Sequence, residues 1–73
     1  DSRGTHAESQ RNPVIQALPL LRDWFPDLVI ACDVCLCPYT DHGHCGILTS
    51  DGLIDNQPSI KRIAEVAVAY GKA

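Results

Sequence analysis

The sequence contains no methionine, no apolar run near the twenty residues that span a bilayer, and no excess of basic residues. Each absence excludes something. Without a long apolar run no membrane-spanning helix is expected, and no apolar stretch near the start of the sequence suggests a secretory signal. Six Lys and Arg against nine Asp and Glu give a net charge of −3. The basic residues are scattered along the chain, so no basic stripe offers a nucleic-acid surface. Neither internal repeats nor low-complexity segments occur, which excludes a solenoid. A chain that opens on Asp1 and lacks methionine is expected to be an excerpt of a longer protein. What remains is 73 residues, 45% hydrophobic and 21% charged, enough for one small globular domain. Domains of this size bury only about 60% of their unfolded surface and commonly need a metal, disulfides or a partner.

Along the chain, Asp1–Asn12 is polar and without apolar period, and reads as a loop or mobile arm. Asn12-Pro13 supplies an N-cap and a first-turn proline for a helix whose Val14, Ile15, Leu18, Leu21 and Phe25 share one face. Pro19 predicts a kink or restart in that helix, and Pro26 its end. Leu28–Leu36 is almost continuously apolar and β-branched, which predicts a strand buried on both faces, as in a parallel sheet. Cys37–Gly46 reads as a loop, and Ile47-Leu48 and Leu53-Ile54 as a short hairpin turning at Asp51-Gly52. Asn56 is placed to cap a last helix with Pro58 in its first turn. Ile60, Ile63, Ala64 and Ala67 form its apolar face, Lys61, Arg62 and Glu65 point away, and Gly71 is its stop. The order helix, strand, loop, helix is a slice of an α/β protein, with one strand and no partners for it.

All four cysteines fall between positions 32 and 45, in the pattern C-x-x-C-x-C-x7-C. Such close spacing suits a metal better than disulfides. Strand alternation sorts them: Asp33, Cys35 and Cys37 face one side, Cys32 and Val34 the other, and the glycine-bearing loop returns Cys45 to the first side. Three thiolates are soft ligands that select zinc, and three protein ligands leave a position for water or substrate. The plainer readings are reduced thiols, or a four-cysteine structural site that includes Cys32.

Beside this cluster, His42 and His44 can bind metal, orient a water or cap a turn. Asp33, at the end of an apolar strand, is costly unless paired, and strand ends of parallel α/β sheets carry active sites. Trp24 and Phe25 read as helix packing, and His6 and the charges of the last helix as solvated surface.

The segment Cys32-Asp-Val-Cys-Leu-Cys-Pro-Tyr-Thr-Asp-His-Gly-His-Cys-Gly46 closely resembles the metal-binding segment of the porphobilinogen synthase (5-aminolevulinate dehydratase) family, with looser likeness through Pro13–Asp27 and Asn56–Ala73. The resemblance implies a TIM (β/α)8 barrel with an N-terminal arm, assembled as a homo-oligomer, usually an octamer, in the cytoplasm. Residues 1–12 would then be a polar loop or arm segment, and 13–73 a partial barrel segment containing a zinc-binding loop at 35–45. The implied reaction joins two 5-aminolevulinate molecules with loss of water to give porphobilinogen, in tetrapyrrole and haem synthesis. By the same resemblance Cys35, Cys37 and Cys45 are the ligands of a catalytic zinc, and Asp33 is an acidic residue near the active site. His44 matches a position that contributes to a second zinc in some members. The resemblance also has gaps. The family's two active-site lysines, one of which forms the Schiff base, have no match in Lys61 or Lys72. Pro19 stands where relatives continue a helix, and a barrel of about 250 residues cannot close within this length. The fragment alone is expected to be inactive. Two rivals stand beside the enzyme: a small structural zinc module using Cys32 or His44 as fourth ligand, and a redox or iron–sulfur protein built on Cys32-x-x-Cys35.

Overall fold

A computed structural model describes all 73 residues. A short 3₁₀ helix, Thr5–Glu8, precedes two α-helices, α1 (Pro13–Trp24) and α2 (Asn56–Lys72). Residues 25–55 join the helices without a regular strand. Helix α2 packs against both the 3₁₀ helix and α1. The core between them is Ala7, Ile15, Leu18, Leu36, Val66 and Tyr70.

Helix α1 begins where the sequence places it. The Asn12 side chain accepts the Val14 N–H at 2.9 Å, and Pro13 occupies the first turn, where its missing N–H costs nothing. The same Asn12 donates to the Ala7 carbonyl at 2.7 Å, so one buried amide closes both the helix start and the preceding turn. The helix continues through Pro19 without a break and stops at Trp24. Ile15 and Leu18 are buried, but Trp24 and Phe25 are 64% and 54% exposed and take no part in the core.

Helix α2 differs more from expectation. Asp55 takes the N-cap position in place of Asn56, and the helix runs through Gly71 to Lys72. Its buried residues are Ser59, Arg62, Val66 and Tyr70, a face turned away from Ile60, Ala64 and Ala67, which are all exposed. The cause is Arg62, each of whose guanidinium nitrogens has a partner. It donates to the carbonyls of Arg3 and Gly4, both at 2.9 Å, and pairs with Glu8 at 3.0 Å and Glu65 at 3.2 Å. A buried guanidinium is tolerable only when its donors are met in this way. The opening segment is therefore not free of the rest: Gly4 and Ala7 are buried beneath it, and the Asp1 carboxylate caps it through Arg3 N, Thr5 N and the Thr5 hydroxyl.

The strand read over Leu28–Leu36 is absent. The backbone groups of residues 29–35 neither give nor receive a backbone hydrogen bond, and Val29 is 91% exposed. A strand is defined by its ladder, and these 73 residues supply no neighbouring strand. The hairpin that follows is reduced to one antiparallel bridge, Leu48–Ile54. Its turn is as expected: the Gly52 N–H donates to the Thr49 carbonyl at 3.0 Å, and Gly52 sits at φ +82°, the left-handed conformation glycine adopts without cost.

The radius of gyration is 13.6 Å, where a compact chain of this length would have about 11 Å. Nine large apolar side chains are at least half exposed, more than the six residues of the core. The apolar complement of this chain is thus mostly unmet within it.

Gly46 marks the closest packing. A Cβ added there would lie 2.6 Å from Ser59 Oγ, 3.1 Å from Ser59 Cβ and 3.3 Å from Ile54 Cδ1. Gly46→Ala is expected to destabilise by about 1–3 kcal/mol, as overpacking does. Urea unfolding checks this, and a midpoint equal to that of the parent would contradict the close packing.

Candidate metal centre

Leu36 organises the cysteine segment. Its side chain is wholly buried, and its carbonyl accepts the N–H groups of Tyr39 at 2.9 Å and Thr40 at 3.0 Å, closing a tight turn over Pro38. The cysteines on either side of this anchor, Cys35 and Cys37, meet with their sulfurs 3.2 Å apart.

Cys45 is brought back by the second half of the loop. Gly43 adopts φ +75°, the His44 N–H donates to His42 Nδ1 at 3.1 Å, and the Thr40 hydroxyl donates to the His44 carbonyl at 3.0 Å. Beyond Cys45, Gly46 lies against Ser59, whose hydroxyl accepts the Ile47 N–H at 2.8 Å. The chain leaving the loop is thereby fixed to the first turns of α2.

The three sulfurs of Cys35, Cys37 and Cys45 all lie within 4.8 Å of one another and could hold a metal ion. A tetrahedral zinc with bonds of about 2.3 Å needs sulfurs about 3.8 Å apart, inside the range found. All four cysteines are free thiols. The trio shares its protons unequally. Cys35 is held below the usual thiol value, first by the Cys37 backbone N–H and then by the thiols of Cys37 and Cys45. Cys37 is pushed up to about 11, chiefly because it donates its proton to Cys35. Cys45 is raised for the same reason. Three sulfurs this close favour the first thiolate and oppose the second and third, an opposition that a bound cation would relieve.

Of the other residues singled out in the sequence, Cys32 is exposed and stands outside the trio. Asp33 is exposed too; its charge is close enough to oppose ionisation of both Cys35 and Cys45, and it lines the same groove as Cys35. His44 is exposed and contributes no atom to the trio; its ring stacks obliquely on His42, with centroids 5.5 Å apart. A groove of about 440 Å³ runs beside the trio between α1 and the cysteine segment, lined by Leu18, Leu21, Ile30, Asp33, Cys35 and Tyr39 among others. Ser59 and Gly46, which fix the loop's exit, carry no chemical signal in the sequence; a serine in a helix's first turn is an ordinary local capper. No helix is long and apolar enough to cross a membrane.

The whole chain, residues 1–73, matches the family described as delta-aminolevulinic acid dehydratase. Curated relatives carrying that name are 56% identical in Pongo abelii, 59% in Candida glabrata and 44% in Bacillus subtilis. Each alignment covers all of this chain and 22% of the relative, so the chain spans about a fifth of their length. With the motif intact and the match unbroken from Asp1 to Ala73, the chain belongs to the delta-aminolevulinic acid dehydratase family.

Proposed function

We propose that this chain is the metal-loop segment of a porphobilinogen synthase, a zinc-dependent lyase that condenses two 5-aminolevulinate molecules with loss of water. The observation that carries this reading is the convergence of Cys35, Cys37 and Cys45 within a chain that matches the family throughout. Leu28–Leu36 is proposed as one strand of a TIM barrel whose other strands lie in the remainder of the protein. The unpaired backbone of residues 29–35 and the exposed Val29 support that assignment. The Schiff-base lysines are assigned to that remainder too, since Lys61 and Lys72, both exposed on α2, have no match to them in the resemblance. Assembly as a homo-oligomer, an octamer in the family, and a cytoplasmic location complete the proposal.

Cys35, Cys37 and Cys45 would hold the zinc. Bound there, it would supply a Lewis acid able to polarise a substrate oxygen. The protein's own part is distinct. Asp33, which lines the groove with Cys35, is proposed to receive a substrate amine or a transferred proton there. The apolar groove beside it excludes water from one side of the site. His44 is proposed as a contributor to a second, non-catalytic metal whose remaining ligands lie elsewhere. A four-cysteine structural site is less well supported, because Cys32 stands apart from the three converging sulfurs.

In the full-length protein, porphobilinogen formation is expected to stop on chelation and return with zinc. Cys35→Ala, Cys37→Ala and Cys45→Ala should each lower activity by at least about a hundredfold, beyond what loss of an outer contact costs. Cys32→Ala should retain it. Equal loss in all four variants would favour the structural site, and activity indifferent to chelator would remove metal from the reaction.

Zinc uptake must also displace protons from Cys37 and Cys45, whose thiols are raised. A raised thiol keeps its proton to higher pH, so protons compete better with metal and apparent affinity falls as pH falls. Titration of the apoprotein in weak buffer at pH 7.5 is expected to release at least about two protons per zinc, those of the raised Cys37 and Cys45 thiols; release of none would mean that the thiols are not the ligands.

A further inference from the structure

Residues 1–4 touch both α2 and the thiol loop, and the metal chemistry above makes no use of them. Their four consecutive carbonyls are divided between the two. The Asp1 carbonyl accepts the Asp41 N–H at 3.0 Å, and the Ser2 carbonyl lies 3.2 Å from His42 Nε2. The next two, of Arg3 and Gly4, accept from the buried Arg62 at 2.9 Å each. Gly4, at φ +64°, lets this segment lie flat on the loop: a Cβ there would stand 3.3 Å from Tyr39 Cβ and 3.4 Å from Thr40 Cγ2.

His42 carries the connection onward. Its Nδ1 accepts the His44 N–H, which leaves the proton on Nε2, where it donates to the Ser2 carbonyl. One ring thus links residues 1–4 to the backbone immediately before Cys45. The path runs from Arg62 on α2 through the Gly4 and Arg3 carbonyls, along the chain to Ser2, and through His42 to the return of the loop.

We propose that residues 1–4 form a strap that sets Cys45 against Cys35 and Cys37, with Arg62 and His42 as positioning residues at its two ends. Neither touches the metal. They decide how often the third thiol is in place, which acts on affinity as an outer contact to a ligand does. The inference rests on the reading of the three cysteines as a metal site.

The test uses Co²⁺ as a probe on the full-length protein, followed by its thiolate charge-transfer absorption. His42→Phe and Arg62→Lys are each expected to weaken cobalt binding about tenfold. Because they act on one strap, the double variant should lose little more than the worse single one. Ile15→Ala, which opens the core without touching the strap, should lower thermal stability and leave affinity within about twofold. Should Arg62→Lys fail to fold, Gly4→Ala takes its place in the cycle, since its φ and its contacts with Tyr39 and Thr40 disturb the strap alone. Losses that multiply to about a hundredfold, or affinities that do not change, overturn the strap. A parent protein without the charge-transfer band overturns the metal reading beneath it.

Discussion

The guanidinium of Arg62, buried between α2 and the opening residues, is the constraint on which the arrangement depends. It is 2% exposed and has four oxygen partners. Through them it chooses which face of α2 turns inward, and it folds the polar N-terminal stretch onto that face. Burial of an arginine is strongly unfavourable until carbonyls and carboxylates surround it, so the contact forms as a whole or not at all. The core of Val66, Tyr70, Ala7 and Leu36 collects beside it, and Leu36 in turn seats the two cysteines that flank it.

Around this small core lies an unusual amount of unmet bonding. Residues 29–35 have no backbone partners, and Leu28, Val29, Leu53, Ile60 and Val68 are each more than half exposed. Apolar side chains and free peptide groups in one segment are what a central strand of a sheet looks like without its neighbours. The cysteine trio does not share this incompleteness. Its geometry is set by the Leu36 turn, by Gly43 and Gly46, and by hydrogen bonds to Ser2 and Ser59, all within the chain. A metal site that assembles from one continuous segment is consistent with the proposed division of labour, in which this segment supplies the thiols and the rest of the protein the lysines and the barrel.

The grouping of Cys35, Cys37 and Cys45 was legible because it follows from short spacing and one loop return. Alternation gave the right companions even though no strand forms, since Leu36 turned into the core forces its two neighbours to the same outer side. The Asn12-Pro13 start of α1 was legible for the same reason: capping is local. The face of α2 was not. Ile60, Ile63, Ala64 and Ala67 make a credible apolar stripe, and Val66 and Tyr70 a second one beside it. The second wins because it includes Arg62, three of whose four partners, Arg3, Gly4 and Glu8, lie more than fifty positions away. Charge alone argued for solvent; only the distant carbonyls of Arg3 and Gly4 reverse that. The strand failed as a reading because β-structure is a property of pairs, and Trp24 and Phe25 because both stay more than half exposed at the end of α1.

The central claim is that three thiolates, and not four, form the metal site. Zinc K-edge X-ray absorption on the full-length protein measures this directly. The account predicts three sulfur neighbours at about 2.3 Å with one lighter atom completing the shell. Four sulfurs would place Cys32 among the ligands and make the site structural, and a shell without sulfur would contradict the account altogether.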